Sequence, residues 1–146
     1  MLDLPFNGTS SSAAQTERFA AALSARLEPG DIVLISGELG TGKTTFVRGA
    51  ARALGVSDQV TSPTFTIGQR YAAAPPLDYV AHVDLYRLQS LEHEDPDLLA
   101  DYAGPAIITF VEWPAVGLER LESLGRIALH VTLAHRGGDE RRIEAA

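Results

Sequence analysis

The sequence predicts an α/β fold built on a mixed sheet, with a parallel centre, antiparallel additions and helices on both faces. Two observations lead to this prediction. The apolar segment DIVLIS at 31–36 has the composition of a buried strand, and a glycine-rich segment at 37–42 leads from it into an amphipathic helix pattern. Farther along, segments of alternating apolar residues and a second buried strand pattern at 106–111 supply more of the sheet. Strands interleaved with helices are typical of the α/β class.

The first predicted helix covers residues 10–28. Ser12 and Gln15 have the spacing of a capping box, apolar residues recur at every fourth position, and a Pro-Gly pair ends the pattern. The second predicted helix runs from 43 to about 54, where Gly55 stands at the position of a C-terminal cap.

The later elements follow from alternation, caps and turns. Asp95-Pro96 has the pattern of a helix start, and Gly137-Gly138 is typical of a two-residue hairpin turn. The remaining predicted elements are strands at 64–71 and 79–85 that pair as a hairpin, a short helix from 95 to 104, a strand at 106–111, a short helix at 114–124, a strand at 127–133 and a return strand at 141–145.

Length and composition limit the possible functions. The 146 residues suit one domain, and we expect residues 1–146 to form it. The absence of cysteine excludes disulfides, thiolate metal sites and cysteine nucleophiles. The formal net charge of −7 argues against tight autonomous binding to nucleic acid, which needs a dense basic surface. No apolar run approaches the roughly 20 residues that cross a bilayer, so we expect a cytoplasmic protein without a membrane partner.

The segment GELGTGKT at 37–44 matches the phosphate-binding pattern G-x-x-x-x-G-K-[ST] in full. Its glycines allow a turn in which successive N–H groups surround an anion at a helix N-terminus. Lys43, the only lysine among twelve basic residues, would reach the β and γ phosphates, and Thr44 would offer its hydroxyl to Mg²⁺. The alternative is a glycine-rich turn with a purely structural role. The sequence therefore predicts a P-loop NTPase-like fold that binds a nucleotide and Mg²⁺ through Glu38, Leu39, Gly40, Thr41, Gly42, Lys43, Thr44 and Thr45.

Hydrolysis also needs acidic groups near the phosphates, and two residues qualify. Asp84 and Glu112 each end a predicted strand, and the carboxyl ends of strands meet at the ligand crevice of an α/β sheet. Glu112 has the position of a Walker-B carboxylate, and Asp84 shares one strand face with His82. Either acid could instead be an ordinary loop residue or a helix cap. Trp113 follows Glu112 directly, and the residues alone fit either a site aromatic or a core aromatic.

Four motifs together resemble one family, the TsaE (YjeE) proteins. They are GELGTGKTT at 37–45, SPTFT at 62–66, HVDLYRL at 82–88 and EWP at 112–114, in the order and approximate spacing of that family. The resemblance covers nearly the whole chain, and the last two motifs are far more specific than the P-loop. The segment at 89–103 departs from the family's usual pattern.

The resemblance implies a P-loop ATPase, slow when alone, that supports formation of the threonylcarbamoyladenosine modification next to the tRNA anticodon. It implies Thr44 and Glu112 as Mg²⁺ ligands and Asp84 as the catalytic acid that orients or activates water. Three further residues would lie near the nucleotide: Thr64 in a switch segment, Trp113 beside the nucleotide and Thr16 near its base.

The family resemblance also implies partners. The TsaD and TsaB proteins would form the complex that this ATPase binds and resets, and TsaC would supply threonylcarbamoyl adenylate. The tRNA would be contacted indirectly, through TsaB and TsaD, which agrees with the acidic net charge. Two alternatives remain from the residues themselves, a small-molecule kinase and a non-catalytic nucleotide-binding module. A kinase would need an acceptor pocket, and a pure binding module would not need both acids.

Overall fold

The computed structural model describes residues 2–63, 66–86, 88 and 97–146. Seven strands form one sheet: β1 (Phe6–Ser10), β2 (Asp31–Ser36), β3 (Gly68–Ala72), β4 (Tyr79–Asp84), β5 (Ile107–Glu112), β6 (Arg126–Gly137) and β7 (Glu140–Ala145). The described residues also form three α-helices: α1 (Ala13–Ser24), α2 (Lys43–Ala53) and α3 (Leu118–Leu124). Two 3₁₀ turns lie at Ala100–Tyr102 and Pro114–Val116.

The sheet has the order β1-β7-β6-β2-β5-β4-β3. Strands β6, β2, β5 and β4 run parallel, whereas β3, β7 and β1 are antiparallel additions at the two sides. The predicted mixed sheet with a parallel centre is therefore confirmed. Because β2, β5 and β4 are adjacent and parallel, their carboxyl ends lie together at one edge of the sheet, which is where ligands bind in this class of fold.

Helices cover both faces of the sheet, as predicted. Helices α1 and α2 pack together on one face, where Leu23 and Phe46 join the core around Ile35. Helix α3 and the turn at Ala100–Tyr102 lie on the other face, around Leu34 and Leu121. Strand β2 is buried on both sides, which explains why its sequence is a continuous apolar run. Among the described residues, no helix has the length and apolar character needed to span a membrane.

The amino-terminal region differs from the prediction. The predicted helix at 10–28 is in fact α1, preceded by a strand, β1, that the sequence did not indicate. Helix α1 begins after Ser12, whose side chain accepts a hydrogen bond from the Gln15 N–H at 3.1 Å. The Gln15 side chain accepts from the Ser11 N–H at 2.6 Å. The residues before this cap pair with β7, a long-range contact that overrides the weak local pattern.

Four other predicted elements also differ from the structure. The helix predicted at 114–124 is divided at Gly117 into a 3₁₀ turn and α3. The helix predicted from 95 to 104 is only a 3₁₀ turn where it is described, and its predicted start lies outside the described residues. The last hairpin turns at 138–139 instead of Gly137-Gly138, because β6 continues to Gly137, which pairs with Glu140. Part of the strand predicted at 64–71 also lies outside the described residues, and β3 begins at Gly68.

Candidate functional site

The glycine-rich loop connects β2 to α2 at the carboxyl edge of the sheet. Gly37, Gly40 and Gly42 have positive φ angles of 151°, 77° and 97°. A Cβ atom on Gly37 would lie 2.5 Å from the Leu133 carbonyl oxygen, so a larger residue would displace the backbone. Gly42 precedes α2 and provides no side-chain cap for it. The first N–H groups of α2 therefore face the loop without a side-chain partner at the cap, which is the arrangement that binds anions.

Lys43 lies inside this loop. Its Nζ donates hydrogen bonds to the carbonyl oxygens of Gly37 and Glu38, each at 2.8 Å. Nζ also lies 4.5 Å from the centre of the Trp113 ring. Burial lowers the pKa of Lys43, and the negative charges of Glu112 and Asp84 partly counteract that effect. The ammonium group is thus held within the glycine-rich loop, with two acids close enough to influence its pKa.

The two candidate acids end adjacent strands. Asp84 in β4 is directly opposite Glu112 in β5 in the register of the sheet. Burial raises the pKa of Asp84, and the charge of Glu112 adds to this, although the Tyr86 N–H bond to Asp84 Oδ1 at 2.9 Å opposes it. Glu112 is 3% exposed, and its Oε2 lies 3.5 Å from the Thr44 hydroxyl. The predicted acids are therefore brought together beside the first turn of α2.

The oxygen atoms near Thr44 suit a hard divalent cation. The Thr44 hydroxyl lies 2.7 Å from the Ser62 hydroxyl and faces the Glu112 carboxylate. In the described part of the chain, no group of three or more His, Cys, Asp or Glu side chains forms a metal cage. Mg²⁺ does not need such a cage, since it is commonly bound by one or two carboxylates together with substrate phosphates and water. The donor set therefore fits Mg²⁺ that arrives with a nucleotide.

A cavity of about 410 Å³ adjoins the loop on its other side. Its lining includes Thr16, Gly40, Thr41, Gly42, Thr45 and Arg141. Thr16 is 3% exposed, and its hydroxyl lies 2.7 Å from that of Ser10. The β6–β7 hairpin borders the cavity, and its Arg141 donates to the Gly40 carbonyl at 3.3 Å. The structure thus places Thr16 beside the glycine-rich loop, in the lining of this cavity.

Trp113 adopts an unusual backbone conformation. Its φ and ψ are 58° and 56°, and it is the only non-glycine residue with positive φ among those described. Its N–H donates to the Ile35 carbonyl at 3.2 Å, and its ring lies 5.1 Å from the ring of Tyr86. Strained backbone of this kind clusters at functional sites. The Trp113 ring lies against Lys43 of the glycine-rich loop, and its role beside a nucleotide stays a prediction.

The other predicted site residues differ in what they can contribute. The side chains of Glu38 and Leu39 are exposed at the loop. Thr41 is buried, and its hydroxyl donates to the Glu38 carbonyl at 2.7 Å, so its side chain supports the loop shape. Thr64 lies outside the described residues. The described part of its segment contributes Ser62, which contacts Thr44.

Sequence reasoning assigned no role to several residues that the structure places at the site. His82 is fully buried, and its Nε2 contacts the Glu112 carboxylate. Strand alternation already placed His82 on the face of Asp84, and that signal alone pointed to it. Tyr86 and Arg141 had no comparable signal, because their positions depend on the Trp113 conformation and on the β6–β7 hairpin.

The sheet order, the loop between β2 and α2 and the acids on neighbouring strands define an α/β protein of the P-loop NTPase type. Comparison with known proteins gives the family. The family model described as "Threonylcarbamoyl adenosine biosynthesis protein TsaE" matches residues 10–143. The chain therefore belongs to the TsaE family of threonylcarbamoyl adenosine biosynthesis proteins.

Individual relatives agree with this assignment. A Bacillus subtilis protein named tRNA threonylcarbamoyladenosine biosynthesis protein TsaE is 38% identical over 130 residues, covering 88% of this chain and 77% of that protein. A Synechocystis protein of the same name is 41% identical over 112 residues, covering 75% and 68%. The crystal structure of Bacillus subtilis YdiB superimposes with a TM-score of 0.70 at 29% identity, covering 100% of this chain and 88% of that one.

Proposed function

We propose that this protein is a Mg²⁺-dependent ATPase that supports the formation of threonylcarbamoyladenosine in tRNA. The observation that carries the proposal is the convergence of Lys43, Thr44, Asp84 and Glu112 at a helix N-terminus without a side-chain cap. A cation, a hydroxyl and two carboxylates in this arrangement are the components that a P-loop enzyme needs to bind and cleave a nucleoside triphosphate.

Nucleotide binding would use the loop and the adjacent cavity. The N–H groups of the loop and of the first turn of α2 would surround the phosphates. The Lys43 ammonium would leave the carbonyls of Gly37 and Glu38 and pair with the β and γ phosphates instead. The base and ribose would enter the cavity lined by Thr16 and Arg141. Trp113 would stay beside the phosphate end, against Lys43.

Thr44 and Glu112 would hold the metal ion. Bound Mg²⁺ would neutralise phosphate charge as it develops during the reaction. The Thr44 hydroxyl would turn from Ser62 toward the cation, and the Glu112 carboxylate already faces that hydroxyl. Asp84 would orient the attacking water and accept its proton, a role that suits a carboxylate whose pKa is raised by burial.

The acidic net charge supports the proposal that other proteins, and not this chain, contact the tRNA directly. With a formal charge of −7, this chain is poorly suited to holding tRNA by itself. We propose that it binds the TsaD–TsaB complex, which contacts the tRNA, and that ATP hydrolysis resets that complex. Slow turnover alone and faster turnover with the partners follow from this proposal.

The proposal is tested by calorimetric titration of ATP and by steady-state hydrolysis, each with Mg²⁺. Lys43→Ala should lose both binding and hydrolysis, because it removes the only ammonium in the loop. Arg70→Ala is the matched control, since it removes a cation on β3 that contacts Tyr79 instead. Equal binding by wild type and Lys43→Ala would overturn the nucleotide site.

Hydrolysis assays with purified TsaB and TsaD test the rest of the proposal. Stimulated hydrolysis supports the resetting role. Turnover that requires a small acceptor molecule instead of the partner proteins would identify a kinase. Tight binding without any turnover under either condition would identify a nucleotide-binding module.

A further inference from the structure

His82 is a fully buried histidine in the middle of the sheet. Strand β4 places it two residues before Asp84, on the same strand face, and its partner in the β5 register is Phe110. Its Nε2 reaches diagonally across to Oε2 of Glu112. This is the same carboxylate oxygen that lies 3.5 Å from the Thr44 hydroxyl. His82 therefore contacts the candidate site through Glu112.

We infer that His82 is a positioning residue that orients the Glu112 carboxylate for the cation. The inference extends the proposed function, since it assumes that Glu112 holds Mg²⁺. A glutamate side chain has three rotatable bonds, and a hydrogen bond to one carboxylate oxygen restricts the last of them. A cation ligand whose orientation is fixed in advance loses less conformational freedom when the cation binds.

The hydrogen bond also determines which nitrogen of His82 carries a proton. A carboxylate only accepts, so the Nε2–H of His82 must donate. Among the described residues, Nδ1 has no hydrogen-bonding partner. In the described part of the chain, the contact with Glu112 is therefore the only hydrogen bond of this buried ring.

A purely structural role explains these contacts less well. The described residues on the same face of β4 and β5 as His82 include Val80, Ile108 and Phe110, all buried and apolar. An apolar side chain would fill this space without burying polar atoms, and burial of polar atoms carries a free-energy penalty. A histidine aimed at a 3% exposed carboxylate is instead typical of the residues that surround metal ligands.

The experiment compares Mg²⁺ dependence in three substituted proteins. His82→Leu removes the hydrogen-bond donor and fills the space with an apolar side chain. His82→Gln supplies an amide N–H at about the distance of Nε2, whereas the shorter amide of His82→Asn cannot reach Glu112. ADP binding is followed by calorimetry over a range of Mg²⁺ concentrations and again in EDTA, and thermal melting checks that each protein folds.

His82→Leu and His82→Asn should raise the half-saturating Mg²⁺ concentration by at least about tenfold. His82→Gln should restore most of the wild-type value. ADP affinity in EDTA should stay the same in all of them, because the loop and Lys43 are unchanged. If His82→Leu does not fold, the contrast between His82→Gln and His82→Asn still tests the role of the hydrogen bond.

Two results would overturn the inference and leave the proposed function intact. In the first, the wild type binds ADP more tightly with Mg²⁺ and the substituted proteins show the same Mg²⁺ dependence. In the second, His82→Leu and His82→Gln weaken binding equally with Mg²⁺ and with EDTA, as a structural role predicts. Failure of the wild type itself to respond to Mg²⁺ would instead overturn the proposed function, and the role of His82 with it.

Discussion

Buried ionisable groups lie near both ends of strand β2. Their ionised forms are favoured at one end and disfavoured at the other, because hydrogen bonds prevail at the first end and burial prevails at the second. At the start of β2, Asp31 is almost completely buried and accepts two hydrogen bonds from the Arg126 guanidinium, at 2.9 and 2.8 Å. The Glu28 N–H also donates to it at 2.8 Å. Burial by itself would raise the pKa of Asp31, but these bonds and the Arg126 charge outweigh burial and lower it.

Beyond the other end of β2, burial prevails. It raises the pKa of Asp84 and lowers the pKa of Lys43, so both groups are less easily charged than usual. Among the described residues, Lys43 contacts two carbonyl oxygens and an aromatic ring, whereas Asp31 has a paired guanidinium. The comparison separates charge that stabilises the fold from charge that is incompletely compensated until a ligand arrives. Groups of the second kind are typical of functional sites.

Among the substitutions that compare the two ends of β2, Asp84→Asn should have the largest effect, and that effect should be on hydrolysis. Without a group that accepts the proton of water, hydrolysis should fall by at least about 100-fold, while ATP binding is kept. Stability at neutral pH should stay equal or rise, because a neutral amide replaces a carboxylate whose ionisation burial disfavours. Hydrolysis, calorimetric binding and thermal melting of the same preparation check this. Unreduced turnover would remove Asp84 from the reaction.

Glu112→Gln should change the response to metal. An amide is a much weaker ligand for Mg²⁺ than a carboxylate, so the Mg²⁺ concentration that supports half-maximal hydrolysis should rise by about 10- to 100-fold. The His82 N–H still has an oxygen to bind in this variant, which separates loss of the ligand from loss of its support. A Mg²⁺ titration of hydrolysis checks this, with Glu144→Gln on β7 as a surface control. An unchanged titration would exclude Glu112 as a ligand.

The carboxyl end of the sheet was the more predictable region, for a physical reason. The loop pattern at 37–44 and the two acids depend on local backbone chemistry and on strand ends, both of which can be read from the sequence.

Strand β1 was not predicted, because its pairing with β7 links residues more than 130 positions apart. The position of Arg141 over Gly40 depends on the exact length of the β6–β7 hairpin, which the sequence placed one residue too early.

The charge pair at the amino end of β2 was less predictable from the sequence. Asp31 was interpreted only as the first residue of a strand, because its partner Arg126 is 95 positions away. No local sequence pattern predicts such an ion pair. The helix predicted at 114–124 is also divided, at Gly117, whose φ of −115° and ψ of 11° are not helical. Local patterns therefore identified the parts of the site, and tertiary pairing decided how they are held.

Asp31→Asn should lower the stability of the protein without changing its activity, because Asp31 at the amino end of β2 supports the fold. Asparagine can keep one of the hydrogen bonds to Arg126 but loses the charge, so the free energy of unfolding should fall by about 1–2 kcal/mol. ATP affinity and turnover should be unchanged at temperatures where the protein is folded. Denaturant unfolding and calorimetric binding check this. A loss of ATP affinity in the fully folded variant would mean that the two ends of β2 are coupled.

The pH dependence of that stability difference is the smallest expected effect. The pKa of Asp31 in the folded protein lies below 3.8, its ordinary value in an unfolded chain. Its contribution to stability is therefore complete above about pH 4 and is lost as the pH falls through the folded-state pKa. Wild type and Asp31→Asn should differ most near neutral pH and converge in acid, since all other groups titrate alike in both. Unfolding curves from pH 7 to pH 3 measure this. A difference that grows in acid would show that Asp31 is not held in its ionised form.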